Sequence, residues 1–308
     1  MADQLYTIGS LISTGSPSFQ LDGVSSPSLD MGITMVMTRG AGQPDPSHVS
    51  NISIRPVHAF TTTELATLLT NVPAFGCFFF GTGGEATTLR AIYTQYQQGC
   101  TRVSGTNHFP VDFNQGMMVV RGISVAQDGT ATAQVSIITN FDGTNVPVTF
   151  PAAVALPTIS VDEEFGLGPV KIRGTTLDGV QRWEYDSGVD IYQRGNSGSV
   201  YSKKIGIAQR DPKFRVYLDD LTYARTVGVP GLAQNSSATE FYLRKKTKHG
   251  TYDSDASTTH IKLALSSSQG MINIREISGD DFTQLGLEIT PSTGTNPAVV
   301  PTVGVAIS

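Results

Sequence analysis

The tetrapeptide Leu-Asp-Gly-Val occurs twice, at 21–24 and 177–180, and the offset of 156 residues between the copies constrains the fold more than any other feature of the chain. Held without a gap, that offset sets Asp30 on Asp186, Gly32 on Gly188, Gly42 on Gly198, Pro56 on Pro212 and Leu65 on Leu221. Nine identities thus fall in 45 positions, where ordinary composition gives roughly three. Ile33 and Val189, Met35 and Ile191, and Val49 and Ile205 are conservative matches in the same register. Further on, QGMMVVRGIS (115–124) returns as QGMINIREIS (269–278) at an offset of 154, and Thr106 and His108 meet Thr258 and His260 at 152. Small drifts of offset in one order are what loop insertions and deletions leave in two copies of one unit, so the chain reads as a tandem duplication. Its 308 residues suffice for two domains that each bury a core. The expected division is a first β domain with an N-terminal arm at 1–150, a linker at 151–171, and a second β domain with a C-terminal arm at 172–308. Pro, Gly and the acidic run DEEF mark the linker.

Each unit is predicted to be mainly β, a sandwich or barrel with one short helix. GITMVMT (32–38) and GVDIYQR (188–194) alternate as strands do, and SNISIRPV, KKIGIAQRDP, GMMVVRGISV and GMINIREIS follow the same rule. ATTLRAIYTQY (86–96) alone could pass for a helix, but its counterpart ATEFYLRKKTK (238–248) alternates aromatic and charged residues, which favours a strand in both. The helix is expected at 60–72, with Thr61 and Glu64 at capping-box spacing and Leu65, Leu68 and Leu69 as its apolar stripe. Its counterpart is 218–228, capped by Asp219 or Asp220. Pro56 and Pro212 are expected to end strands before the helix, and Gly32 and Gly188 to mark turns or close backbone approach.

One stretch invites a catalytic reading. Gly-Asn-Ser-Gly-Ser at 195–199 is similar to the serine loop of trypsin-like glutamyl endopeptidases, which would make Ser197 a nucleophile. The repeat argues otherwise: Ser197 falls on Ala41, and both segments occupy the link between paired strands. Gly40, Gly42 and Pro44 in one copy and Asn196, Ser197 and Gly198 in the other are hairpin-loop residues on this reading. None of His48, His58, His108, His249 and His260 has the sequence context of a general base in such proteases. GTGGEATT (81–88) lacks the lysine of a phosphate loop and reads as a plain loop. His108 and His260 recur without ligand-spaced neighbours, so they read as structural histidines or as the makers of a shared loop-to-strand hydrogen bond. The basic run LRKKTKH (243–249) reads as a solvated strand face or as a contact for an acidic neighbouring subunit or passing DNA, with the subunit contact preferred over DNA, and DEEF (162–165) reads as linker charge. Cys77 and Cys100 read as reduced or buried thiols, with a disulfide between them as the alternative. No catalytic residue, metal or cofactor is expected, and the chain is not expected to be an enzyme.

Charged residues make up 15% of the chain against roughly 25% in typical soluble proteins, a surface suited to extended protein contacts. The net charge of −5 argues against a phosphate-gripping surface. Residues 1–150 hold no lysine and five arginines against nine acidic residues, so the first half is the more acidic. The sequence shows no signal peptide and no stretch long enough to span a bilayer.

The duplicated pattern, a strand pair around LDGV…D.G, a hairpin ending in Pro before a helix, and the closing strand QGM….R.IS, resembles the tail tube proteins of long, non-contractile-tailed bacteriophages. The resemblance implies two tail-tube-like β domains and a structural virion protein made in the host bacterial cytoplasm and resident in the tail. It implies self-assembly as trimeric, pseudo-hexameric rings whose inner sheets join edge to edge, stacked into a tube. Viral DNA and a tape-measure protein would occupy an acidic lumen, with tail completion and baseplate proteins as end partners and no membrane. The hairpins at 38–48 and 193–203 would reach the next ring. A baseplate hub or distal tail protein of similar fold is the alternative, and a trypsin-like hydrolase the remaining one.

Overall fold

The computed structural model describes residues 5–15, 17–72, 77–81, 86–97, 101–195, 198–220, 222, 238–247, 250–265, 270–278, 284–291 and 298–308. The first half carries β1 (Leu5–Gly15), β2 (Phe19–Leu21), β3 (Val24–Asp30), β4 (Ile33–Thr38), β5 (His48–Ile54), β6 (Val57–Thr62), α1 (Leu65–Asn71), β7 (Cys77–Phe80), β8 (Ala86–Tyr96), β9 (Phe109–Phe113), β10 (Gly116–Ala126), β11 (Thr132–Thr139) and β12 (Val148–Thr149). The second carries β13 (Phe165–Ile172), β14 (Thr175–Thr176), β15 (Val180–Asp186), β16 (Val189–Gly195), β17 (Ser202–Arg210), β18 (Lys213–Leu218), β19 (Glu240–Lys245), β20 (His260–Leu265), β21 (Gly270–Ser278), β22 (Gln284–Pro291) and β23 (Val299–Val305). The chain is therefore mainly β, with antiparallel pairing throughout except where β7 meets β8.

Alternation in the sequence decides which face each strand buries. In KFRVYL of β18, Phe214, Val216 and Leu218 are fully buried while Lys213, Arg215 and Tyr217 face the other way. Strands β3, β6, β11 and β10 pair in that order, as do β15, β18, β22 and β21. Strands β2-β1-β8-β9-β12 pair in one half and β14-β13-β19-β20-β23 in the other; β7 joins β8 to β10, and β4–β5 and β16–β17 are separate hairpins. One continuous hydrophobic core lies between these layers and crosses from half to half. At its centre Phe214 of β18 stacks flat on Phe241 of β19 at 3.9 Å, with Trp183 packed 5.6 Å from Phe241.

Irregularities recur as regularly as strands. Ladder registers slip between Thr34 and Met35 in β4 and between Asp190 and Ile191 in β16, and between Val120 and Gly122 in β10 and Ile274 and Glu276 in β21. A third pair of slips lies between Ile8 and Ser10 in β1 and Leu167 and Val170 in β13. Gly32 and Gly188 both have positive φ, 54° and 56°, and each donates its N–H to the aspartate two residues before it, at 2.8 and 2.9 Å. A Cβ at either site would collide with the carbonyl oxygen of Arg55 or Asp211, so only glycine fits. His108, outside the strands, accepts the backbone N–H of Gln95 in β8 on Nδ1 at 3.1 Å, and His260, which opens β20, accepts that of Lys245 in β19 at 3.1 Å, so the first bond runs from loop to strand and the second between strands.

Four local expectations are corrected. The helix is shorter than 60–72: Thr61 belongs to β6, where it pairs with Gln134 and Ser25, and Glu64 makes no side-chain cap. The cap comes from Glu163, whose carboxylate accepts the N–H groups of Ala66 at 2.7 Å and Thr67 at 3.0 Å. The acidic run is thus more than linker charge. Glu164 takes Lys246 at 3.4 Å and Asp162 offers its carbonyl to Lys245 at 2.9 Å, while Arg244 pairs with Asp255 at 2.8 Å, so these members of the basic run are engaged within the chain. Pro56 and Pro212 do end strands, β5 and β17, but a six-residue strand follows each before the helix position. Of the second expected helix, Asp220 accepts the Thr222 N–H at 2.7 Å as a cap would, and most of 218–228 lies outside the described residues.

Candidate assembly interface

An edge strand exposes a row of unpaired N–H and C=O groups, and a chain built of sheets is defined by what it does with its edges. Here one edge is closed internally. The far end of β10 pairs with β15, Gly122 opposite Asp186, Ile123 opposite Tyr185 and Val125 opposite Trp183, so the two four-stranded sheets become the single path β3-β6-β11-β10-β15-β18-β22-β21. The junction also carries apolar weight. Ile123, Val125 and Ala131 are buried in the core shared with Phe165, Trp183 and Tyr185. Ala131 donates its N–H to the Phe165 carbonyl at 2.7 Å, and Thr130 its hydroxyl to Glu164 at 3.0 Å.

At the two ends of that path the same kinds of strand stand open. Among the described strands β3 pairs only with β6, and β21 only with β22. Met271 and Ile277 of β21 are 56% and 59% exposed, although Ile277 lies across from the buried Leu285 and so shares its face. Beside β3 an apolar groove of about 430 Å³ opens between Tyr6, Leu29, Tyr93, Phe109, Val111 and Phe150. Phe109 stacks on Phe150 at 5.8 Å and meets Tyr6 edge-on at 6.2 Å. Beneath β3, His58 bonds through Nδ1 to the Ser28 carbonyl at 3.0 Å and stacks on Phe113, and burial pushes its pKa down to about 4. The ring there is neutral, with Nδ1 as the donor.

The two long hairpins differ in the same sense. β16–β17 lies across the open face of β7 and β10, where Val189 and the partly buried Ile191, Ile205 and Ile207 cover Cys77, Met117 and Val119. Cys77 is a buried thiol whose pKa burial raises to about 11; Cys100 lies outside the described residues. In β4–β5 the matching residues Ile33, Met35 and Val49 are exposed, together with Val36, Met37 and Ile52. In its loop Gln43 donates its N–H to the Gly40 carbonyl, Arg39 bonds the Pro44 carbonyl at 3.0 Å, and Gly42 has φ of 80°. Gly198 matches it with φ of 84°, while Asn196 and Ser197 lie outside the described residues.

The face of the long sheet opposite the core carries hydroxyls on β3, β6 and β11, among them Ser25, Ser28, Thr61, Thr132 and Ser136, and ion-paired side chains on β15, β18, β22 and β21. Glu288 lies 3.4 Å from Arg215, 3.7 Å from Lys213 and 3.7 Å from Arg275, and Arg182 lies 3.8 Å from Glu184. Four cations thus share two carboxylates among these pairs, so this part of the face is not acidic. Among the described residues no three His, Cys, Asp or Glu side chains gather as metal ligands, and no helix is long and apolar enough to cross a membrane. The edges and the groove are not legible in the sequence, because exposure of an apolar strand residue depends on what its neighbour strand covers. The signal available was the repeat itself, which pairs buried Ile123 with Ile277 and buried Val189 with Ile33. No protein-family model matches the chain, and no curated protein matches it by sequence.

Proposed function

We propose that this chain is a ring-forming structural subunit, a tube protein of the kind used by long-tailed bacteriophages, in which two tandem copies of one β domain act as successive segments of a ring. The observation that carries the reading is the β10–β15 junction, flanked by open edges of the same two strand types on β3 and β21. A head-to-tail contact that repeats an internal one propagates, and it closes when the rotation permits. Recurrent bulges, paired glycine turns and matched histidine bonds support descent of both halves from one unit.

Three chains would then give a pseudo-sixfold ring, and stacked rings a channel. The polar face of the sheet would line it: hydroxyls, and the Glu184 and Glu288 carboxylates that engage Arg182, Lys213, Arg215 and Arg275, would compete with a passing polyanion for those cations. Sliding would then depend on carboxylates held beside the cations, in place of the repulsion an acidic lumen would exert. Sedimentation velocity of the full chain over a concentration series tests the reading. Growth to trimers and multiples of trimers is expected, and a species that stays monomeric at high concentration contradicts it.

A further inference from the structure

We propose that the groove formed by Tyr6, Leu29, Tyr93, Phe109, Val111 and Phe150 is the seat for Ile277 of a second copy of this chain, joined in the register that β10 and β15 use internally. The inference rests on the ring reading above and names its contact.

Two histidine bonds and a shared bulge fix which residues correspond. Gln95 and Lys245 donate to His108 and His260, and the pairs Ile8–Tyr93 and Leu167–Leu243 both adjoin the slip of their ladders. Tyr93 therefore answers to Leu243, Tyr6 to Phe165, Phe109 to Ile261 and Val111 to Leu263. Every one of these second-half counterparts is buried, with Phe165 at 1% and Ile261 at 0% exposure, whereas Tyr6 and Phe109 stand at 44% and 42%. What covers the second half is the first: Ile123 sits opposite Tyr185, and Ala131 bonds the Phe165 carbonyl.

The same chain carries an unused equivalent of that cover. Ile277 stands where Ile123 stands relative to the recurring QGM segment and its bulge, and it lies across from buried Leu285 on the core side of β21. Leu29 stands where Tyr185 stands in β15, and it lies across from buried His58 on the core side of β3. Pairing β21 with β3 of the next copy in the internal register sets Ile277 opposite Leu29, at the mouth of the 430 Å³ groove. An apolar side chain exposed on one edge and an apolar groove exposed on the other would be removed from water by one contact. Pro27 and the slip between Ser25 and Ser28 leave the end of β3 bearing Leu29 as its regular stretch, which restricts the registers open to a partner.

The test is a Leu29→Cys, Ile277→Cys double variant of the full chain, oxidised mildly and run without reductant, beside sedimentation of the wild type. Antiparallel partners lie about 4.5–5.5 Å apart at Cα, within disulfide reach. Covalent oligomers larger than dimers are expected at least tenfold above either single-cysteine variant. Ile277→Asp, at an exposed position, is expected to melt as the wild type does and to need at least tenfold more protein to assemble. If the wild type assembles but the cysteine pair stays unlinked and Ile277→Asp assembles normally, the groove contact is wrong and the ring reading survives. A wild type that never leaves the monomer removes both.

Discussion

His58 couples the free edge to pH. Its pKa falls from the ordinary 6.5 to about 4 because burial disfavours the imidazolium, so between those values the unfolded chain binds a proton that the folded chain refuses. Stability is therefore intact above pH 6.5 and declines as pH falls toward 4, by up to roughly 3 kcal/mol. Urea midpoints of the wild type and His58→Leu at pH 7 and pH 4.5 check this: the wild type is expected to lose more on acidification, and equal losses would refute the assignment. Gly32 and Gly188 make a second residue-scale prediction. Either change to Ala should cost about 2 kcal/mol or more in melting experiments, because positive φ and a carbonyl collision act together. The importance of these glycines could be read in the sequence, since a glycine repeated at a fixed offset within a turn marks a backbone conformation that a side chain would oppose. The protonation of His58 could not, because its surroundings come from Phe60, Phe113 and Ser28 on three different strands.

Elements show where local signals mislead. Thr61 and Glu64 have the spacing of a capping box, yet the ladder of β6 claims Thr61, and a carboxylate some hundred residues away caps the helix instead. Glu163→Ala should destabilise the fold by about 1 kcal/mol, whereas Thr61→Ala should leave the helix cap untouched; thermal melts of the two variants separate the cases. Strand assignments fared better, and β8 lies at the 86–96 expected from its alternating counterpart. The hairpins divide by burial. Met35 matches Ile191 in sequence, but among the described residues Ile191 packs on a buried cluster while Met35 is exposed. Met35→Ser is accordingly expected to change monomer stability by less than about 0.5 kcal/mol while weakening assembly in sedimentation. A loss of monomer stability would mean that this hairpin already packs on its own chain.

At the scale of the molecule, one core and one long sheet cross the boundary that the sequence suggests between two domains. Phe214→Ala, at the flat stack with Phe241, should cost about 3–5 kcal/mol and unfold the second half's packing, read by near-ultraviolet circular dichroism and chemical denaturation. The β class was legible because it rests on local pattern. The joined sheet was not, since pairing of β10 with β15 depends on strand order and burial that no local window contains. The same limit hid the open edges that the proposed ring would use. Electron microscopy of the purified full chain in negative stain, across a concentration series, tests the central claim most directly. The account predicts rings or short tubes whose averages show threefold symmetry, and dispersed single particles at every concentration would contradict it.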